Sequence, residues 1–400
     1  MSGIYLDNNA TTRVDPVVVD TVIPFFSEQY GNPSSMHSFG SQVGQAIRNA
    51  RVQVQSLLGA QYDSEIIFTS GGSESDNTAI RSALDALPQR REIITSVVEH
   101  PAILELCEHL QQQHGYTIHY LSVDQYGRLD LDEYQSLLSE NVALVTVMWA
   151  NNETGTVFPV EKMAEMAKPF GILFHTDAVQ AAGKVVIDLK RTAIDMLSMS
   201  GHKIHAPKGV GVLYVRRGCR YRPWLRGGHQ ERGRRAGTEN TIGIVGLGKA
   251  AELAELHLAT INTETARLRD KLQAGILSQV DHCFVTGDVE HRTPNTLNVA
   301  FEYIEGEAIL LMLNEFGIAA SSGSACTSGS LEPSHVMRAM NVPQTAAHGS
   351  IRFSLSRYTR ERDIDRVLDV LPGIVQRLRS ISPYWQQQQG EASAFVPAFG

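Results

Sequence analysis

The chain has 400 residues, with 42% hydrophobic and 20% charged residues and a formal net charge of −8. This length exceeds one hydrophobic core, so two domains are expected, and the acidic balance argues against a nucleic-acid-binding protein. The sequence has no basic leader, no apolar run of roughly 18 residues and no C-x-x-C pair, so we expect a cytoplasmic protein without a membrane span, a disulfide framework or a zinc site.

Short β-branched strands alternate with helical segments along the first half of the chain. The predicted strands span residues 65–69, 92–98, 142–148, 172–175 and 209–215. Gly71-Gly72 and a helix over 73–87 follow the first strand, and Pro101 opens a helix after the second. Near-continuous apolar strands separated by helices predict an α/β fold with a mainly parallel sheet that is covered on both faces. Ligands of such sheets bind at the carboxyl ends of the strands.

The second half of the chain has a different pattern. Residues 243–280 are mostly helical, which suits a connector to a smaller α+β unit. Arg352 stands in an alternating strand over 351–357. From Gln386 onward the sequence has no periodicity, which predicts a loose tail.

Two ionisable residues follow predicted strands. Lys203 ends the run Ser-Gly-His-Lys, and a buried lysine there can lose its proton and form a Schiff base with an aldehyde. A solvated turn lysine is the alternative, and it describes Lys208 better. Asp177 follows the strand at 172–175 and either caps a helix or keeps a pyridine nitrogen protonated. Gln180 lies on the same face as Asp177 if a helix begins there.

Several polar groups at strand ends are weaker candidates. Gly71-Gly72-Ser73 joins a strand to a helix and would admit an anion or form only a tight turn, and it matches neither nucleotide-binding fingerprint. His100 would stack on a flat ring, shuttle protons or cap the next helix. Asn152 is another polar group at a strand end. Arg352 would hold a carboxylate with two hydrogen bonds or form a surface ion pair.

Two glycine-rich segments remain. Cys326 lies among small residues over 321–330, so this stretch is either a mobile tether that carries a reactive thiol or a plain linker. The basic run over 226–238 has no aromatic residue, and together with the net charge this disfavours RNA binding. A phosphate-handling or subunit-contact loop fits the run better. Cys107, Cys219 and Cys283 have no evident role.

Taken together, these motifs resemble the cysteine desulfurase family of pyridoxal-phosphate enzymes, and within it the NifS type. The resemblance is carried by residues 5–12, 31–35, 151–155, 176–180, 200–203, 235–238 and 321–333. The NifS type is suggested by residues 147–150, 304–310 and 395–400. Where many relatives have Ala-Thr, this chain has Gly72-Ser73; the hydroxyl is kept and the loop gains freedom.

The resemblance implies the fold of type I aminotransferases. A large domain over 14–258 would carry a mainly parallel seven-stranded sheet and bind the cofactor. Residues 1–13 and 259–400 would form the small domain, with Cys326 on a mobile loop. The resemblance also implies a homodimer with its sites at the subunit boundary.

The resemblance implies a role for each site residue. Lys203 would bind pyridoxal 5'-phosphate as a Schiff base, and Cys326 would take sulfur from L-cysteine as a persulfide, leaving L-alanine. The implied ring contacts are Asp177 at the nitrogen, Gln180 at the hydroxyl, His100 stacked above and Asn152 nearby. The implied phosphate contacts are Gly72, Ser73, Ser200, Gly201, His202 and, from the partner subunit, Thr238. Arg352 and Asn32 would hold the substrate carboxylate.

The resemblance also indicates where the sulfur goes. The acceptor would be an iron–sulfur scaffold, NifU-like and serving nitrogenase assembly, and Cys326 would serve there as a transient iron–sulfur ligand. The alternatives are a selenocysteine lyase or another pyridoxal-phosphate enzyme of the same fold, such as an aminotransferase. A non-catalytic sulfur-carrier protein is the alternative from a different class.

Overall fold

The computed structural model describes residues 3–322 and 332–388. The helices are α1 Pro16–Val22, α2 Pro24–Ser27, α3 Ser38–Leu58, α4 Gly72–Ala86, α5 Pro101–His114, α6 Leu131–Leu137, α7 Val160–Ala167, α8 Thr241–Thr260, α9 Ala266–Gln279, α10 Gly306–Glu315, α11 His335–Ala339, α12 Gln344–Ala347, α13 Glu361–Ile381 and α14 Pro383–Gln388. The strands are β1 Ile4–Tyr5, β2 Ile66–Thr69, β3 Glu92–Ser96, β4 Thr117–Leu121, β5 Val142–Thr146, β6 Leu173–Asp177, β7 Met196–Ser200, β8 Gly211–Val215, β9 Cys283–Val285, β10 Thr296–Phe301, β11 Ile318–Ala319 and β12 Ser350–Ser354.

A seven-stranded sheet forms the centre of the larger unit. Its strand order is β2-β8-β7-β6-β5-β3-β4. The pairs among β3 to β7 are parallel, and only β8 runs against both of its neighbours. The mainly parallel α/β sheet expected from the sequence is therefore confirmed. The carboxyl ends of β6 and β7 lie side by side at one edge of this sheet.

Helices cover both faces of the large sheet, as apolar strands of this kind require. On one face, Phe68, Phe174 and Met199 pack in a core with residues of α3 and α8. On the other face, Ile67 and Leu213 pack with α4 and α5. Neighbouring strand residues thus enter different cores, because successive side chains of a strand point to opposite faces.

A smaller unit has its own core. A three-stranded antiparallel sheet, in the order β12-β10-β9, packs with α9, α10 and α13 around buried residues such as Leu272, Phe301 and Phe353. Leu6 belongs to this core, and the short parallel pair of β1 with β11 joins the N-terminal segment to it. These contacts agree with the expected grouping of the N-terminal segment with the C-terminal part of the chain, although Val336 and Met337 of α11 pack in the core of the larger unit. The division at residue 258 stays a prediction.

The predicted helical connector is α8, a π-helical turn over Ile261–Thr265 and α9 in direct succession. Other expectations are corrected. β6 ends at Asp177 rather than at residue 175, and β12 is buried throughout rather than alternating. Gln386 lies within α14, so the tail is helical to Gln388. Within residues 3–322 and 332–388, no helix has the length and apolarity needed to cross a membrane.

Candidate active site

Lys203 stands directly after β7, at the carboxyl edge of the large sheet. A 3-10 turn over Gly201–Lys203 follows the strand and aims the lysine at the N-terminal segment of the chain. The Nζ atom of Lys203 donates to the carbonyl oxygens of Asn9, at 2.5 Å, and Ala10, at 2.8 Å. The lysine is partly buried, so the solvated alternative is wrong for Lys203, whereas Lys208 is exposed as expected.

The side chain of Asn9 holds this acceptor in place. Its Nδ2 donates to the Asn152 carbonyl at 3.1 Å and to Thr296 Oγ1 at 2.9 Å. Its Oδ1 accepts from Asn295 Nδ2 at 3.0 Å. Asn9 therefore joins the small unit to the lysine, and Asn152 contributes through its backbone oxygen.

Asp177 and Gln180 lie at the end of the neighbouring strand β6. Asp177 is 7% exposed, and its Oδ1 accepts from the Val179 N–H at 2.8 Å. Burial raises the pKa of Asp177 to about 6, while the Val179 N–H and the charge of Lys203 oppose that rise. A turn follows Asp177, so the helix that would have placed Gln180 on the same face as Asp177 does not form. Gln180 Nε2 instead donates to the same Asn9 carbonyl at 3.0 Å.

A buried polar cluster backs Asp177. His175 bonds Thr146 Oγ1 at 2.8 Å and Ser198 Oγ at 2.9 Å. Burial lowers the pKa of His175 to about 3, so the ring is neutral. Burial, followed by the charge of Asp177, raises the pKa of Asp76 well above its usual value. Burial therefore disfavours the charged form of both carboxyl groups, Asp76 and Asp177.

The loop between β2 and α4 approaches β7 closely at Gly72. A Cβ atom on Gly72 would lie 2.9 Å from Val179 Cγ2 and 3.7 Å from Ser200 Cβ. The helix that starts here has 15 residues and no side-chain cap at Gly71. Its first N–H groups, with Ser73 and the neighbouring Ser200, make a cradle suited to an anion. His202 lies behind, with its Nδ1 3.1 Å from Thr11 Oγ1.

His100 is the N-cap of α5, as its alternative interpretation predicted. Its Nδ1 accepts from the Ala102 N–H at 3.1 Å, so the hydrogen of the neutral ring lies on Nε2. Burial, then the charges of Lys203 and His335, lowers the pKa of His100 to about 4. A neutral, half-buried ring is suited to stacking, and any proton exchange would use Nε2.

Arg352 is buried at the boundary of the two units, so a surface ion pair is wrong. Its guanidinium donates to Asp7 Oδ1 at 2.9 Å and to the Asn152 carbonyl at 2.9 Å. Its Nε is buried and has no hydrogen-bond partner among the described residues. Asn32 is exposed, and its Oδ1 accepts from the Ser34 N–H. Within the described residues, no hydrogen bond joins Asn32 to Arg352.

The remaining candidate residues stand apart. Thr238 is exposed on the basic loop, whose cavity it lines with Arg235. Cys326 lies outside the described residues. Burial raises the pKa of Cys107 and Cys219 to about 12 and that of Cys283 to about 11, so these three thiols are poor nucleophiles.

Several residues of this site carry no signal in the sequence that points to it. The carbonyls of Asn9 and Ala10 gave no side-chain signal, although the stretch 5–12 carried part of the resemblance. Asp7, which pairs with Arg352, lies in the same stretch. Lys184, four residues after Gln180, donates to its Oε1 at 2.8 Å. The four-residue spacing of Gln180 and Lys184 would have predicted their contact only if both residues lay on a helix after Asp177.

These residues fit pyridoxal phosphate. Lys203 offers an amine for the aldehyde, Asp177 a buried carboxylate for the ring nitrogen, and Gln180 an amide for the ring oxygen. No side chain caps α4, so the N–H groups at its start are available to a phosphate. The donors are thus of the chemistry that such a cofactor requires.

Comparison with known proteins gives consistent results. Residues 4–367 match the family described as aminotransferase class-V. The chain is 66% identical to a cysteine desulfurase NifS of Azotobacter vinelandii and 61% identical to a cysteine desulfurase of Gluconacetobacter diazotrophicus, with full coverage of both chains in each case. A solved NifS-like protein superposes with a TM-score of 0.88 at 38% identity, covering 94% of this chain and 100% of that one.

Proposed function

The chain belongs to the class-V aminotransferase family and, within it, to the cysteine desulfurases of the NifS type; from this premise we propose which residues release sulfur from cysteine. L-cysteine is its substrate, and pyridoxal phosphate is its cofactor. One observation supports this assignment of residues above the others. Lys203 and Gln180 both donate to the Asn9 carbonyl, beside the buried carboxylate of Asp177.

Each polar side chain of the site has a separate task. When bound, the cofactor supplies an aldehyde for amines and a ring that accepts electrons. Lys203 holds the cofactor and then moves the proton of the substrate Cα. Asp177 would keep the ring nitrogen protonated, because a buried carboxylate is stabilised by a cation beside it, as the effect of the Lys203 charge on the pKa of Asp177 indicates. Gln180 would donate to the ring oxygen, and the neutral imidazole of His100 would stack on the ring.

The phosphate is assigned to the cradle at the start of α4. Backbone N–H groups at Gly72 and Ser73 would hold the phosphate, together with Ser200 and the turn Gly201–Lys203, which includes His202. Thr238 of a second copy completes this site in the proposed homodimer. The exposure of Thr238 in one subunit is in keeping with that role.

Sulfur transfer is assigned to Cys326. Its thiolate forms a bond to the sulfur of the substrate, the Cβ–S bond breaks with its electron pair left on carbon, and Cys326 carries a persulfide. The three described cysteines support this choice, because burial makes them weak nucleophiles. The outer sulfur of the persulfide then passes to an acceptor protein in the cytoplasm, for which we propose a NifU-like iron–sulfur scaffold. On that scaffold Cys326 would also serve as a transient ligand of the nascent cluster.

The test is a mass spectrum of the cofactor-loaded protein after treatment with L-cysteine. We expect one additional sulfur atom on Cys326 and none on Cys107, Cys219 or Cys283. Cys326→Ser should keep the visible absorption of the cofactor and lose alanine formation, whereas the matched control Cys283→Ser should keep both. Sulfur on another cysteine, or alanine formed at the normal rate by Cys326→Ser, would refute the assignment.

A further inference from the structure

Lys184 is a buried lysine that the reaction described above does not use. It is 7% exposed, and its Nζ donates to Gln180 Oε1 at 2.8 Å. Among the described residues, no carboxylate lies within 4.0 Å of its ammonium group, although buried lysines are normally paired with an acid. A lysine that serves packing alone would not need to place its charge beside an active-site amide.

The bond from Lys184 determines which way the Gln180 amide faces. An ammonium group only donates, so the amide atom that it touches must be the oxygen. The NH2 group of Gln180 is therefore turned the other way, where it donates to the Asn9 carbonyl at 3.0 Å. Lys203 Nζ donates to that same carbonyl, so one chain of hydrogen bonds joins Lys184, Gln180, Asn9 and Lys203. Reversal of the Gln180 amide would break two bonds of this chain, the one from Lys184 and the one to the Asn9 carbonyl.

Lys184 has cationic side chains and neutral histidines around it, since burial lowers the pKa of His202 and of His205 to about 4. The charged and titratable groups that face it are Lys203, His202, His205, Arg352 and Arg357. A cavity of about 30 Å³ lies between Lys184 and Lys203, with Arg357 and His205 in its wall. Burial, then the charges of Lys203 and Arg352, lowers the pKa of Lys184 to about 7. An anion in this site therefore favours the charged form of Lys184.

We propose that Lys184 is a positioning residue, which fixes the Gln180 amide so that its NH2 group faces the ring oxygen of the cofactor. The inference rests on the function proposed above, because it concerns a contact between Gln180 and that ring. A donor held toward the ring oxygen stabilises its deprotonated form. In the absence of Lys184 the amide loses one of the two hydrogen bonds that fix its orientation, so reversal costs less. A reversed amide would turn its oxygen to the ring oxygen and favour protonation instead.

The test is a pH titration of the visible absorption of the lysine-bound cofactor. In Lys184→Met we expect the midpoint to rise by about one pH unit, since a hydrogen bond to a charged group is worth that much. Lys190→Met, which removes an exposed lysine of the same chain, should leave the midpoint unchanged. An unchanged midpoint in Lys184→Met would refute the proposal. Lys184→Ala gives the same test if methionine disturbs folding.

A second variant separates positioning from a direct effect of charge. If Lys184 acts through the amide, Lys184→Met should shift the midpoint by less than a third as much in a Gln180→Ala background as in the wild type. Equal shifts in both backgrounds would show that the charge acts directly and would overturn the positioning role. If the wild-type protein itself fails to bind the cofactor, the proposed function fails rather than this inference.

Discussion

At the scale of single residues, Arg352 shows how one side chain can prepare a substrate site. Two of its nitrogens are held by Asp7 and by the Asn152 carbonyl, while its Nε is buried without a partner among the described residues. An unpaired buried donor costs free energy that a bound carboxylate would restore. The neighbours of the guanidinium therefore fix it in place. Because Nη1 and Nη2 each carry a second N–H and the Nε–H has no partner among the described residues, donors remain for the proposed contact with the cysteine carboxylate.

Arg352→Lys tests this arrangement while keeping the charge. A lysine ammonium lacks the planar fork, so it cannot hold Asp7 and Asn152 and still present a further donor in the same geometry. We expect KM for cysteine to rise at least about tenfold, the loss of roughly one charge-assisted hydrogen bond, with kcat within a few-fold of normal. Steady-state kinetics with Arg338→Lys as the exposed control measures this. A fall in kcat with unchanged KM would contradict a carboxylate contact.

At the scale of elements, a buried ion pair fixes the basic loop over 226–238 to α3 and β2. Glu231 pairs with Arg51 of α3 through a 2.6 Å contact and accepts from the Phe68 N–H of β2. Arg51 also donates to the Ile66 carbonyl. Glu231 and Arg232 both have left-handed backbones, with φ of 49° and 59°, which non-glycine residues adopt at a cost. The buried ion pair holds the loop in this conformation.

Glu231→Gln should therefore destabilise the protein strongly. The variant leaves Arg51 as a buried cation without its counter-charge, and breaking such a pair costs about 3 kcal/mol or more. Urea unfolding measures the loss, with the exposed Glu252→Gln as the matched control. A loss below about 0.5 kcal/mol would mean that the anchor contributes nothing to stability.

Several strands of the large sheet are predictable from the sequence alone. Apolar runs located β2, β3, β5, β6 and β8 to within two residues, because burial on both faces leaves a local signature. The reversed direction of β8 left no such signature, since direction is set by the connection and not by the strand itself. The meeting of Lys203 with Asn9 was likewise invisible, because 194 positions separate the two residues and the acceptor is a backbone oxygen.

At the scale of the whole molecule, a compact polar junction joins the small unit to the large one. Arg357 and Tyr358, which follow β12, both bond the carboxylate of Asp15 just before α1. The ring of His205 packs edge-on against Tyr358, with 5.2 Å between centroids, and its Nδ1 lies 2.9 Å from the Arg13 carbonyl. His205 comes two residues after Lys203, so the same junction supports the active site.

The protonation of His205 should make this junction sensitive to acid. Burial, then the charge of Arg357, lowers the pKa of His205 to about 4, below its ordinary value of about 6.5. As the pH falls from 6.5 to 4, the unfolded chain binds a proton at this residue before the folded chain does. The folded state consequently loses stability in that window and regains it as the pH rises.

His205→Asn isolates this contribution, because asparagine tolerates the left-handed backbone found here, with φ of 70°. At pH 7.5 the variant should be less stable by about 1 kcal/mol, through loss of the ring contact and one hydrogen bond. That difference should shrink as the pH falls from 6.5 to 4, since only the wild type carries the histidine. Urea unfolding of the cofactor-saturated proteins at several pH values measures it, and the exposed His109→Asn should show no such trend. A difference that stays constant toward acid would mean that folding leaves the pKa of His205 unchanged, and a difference that grows would mean that folding raises it.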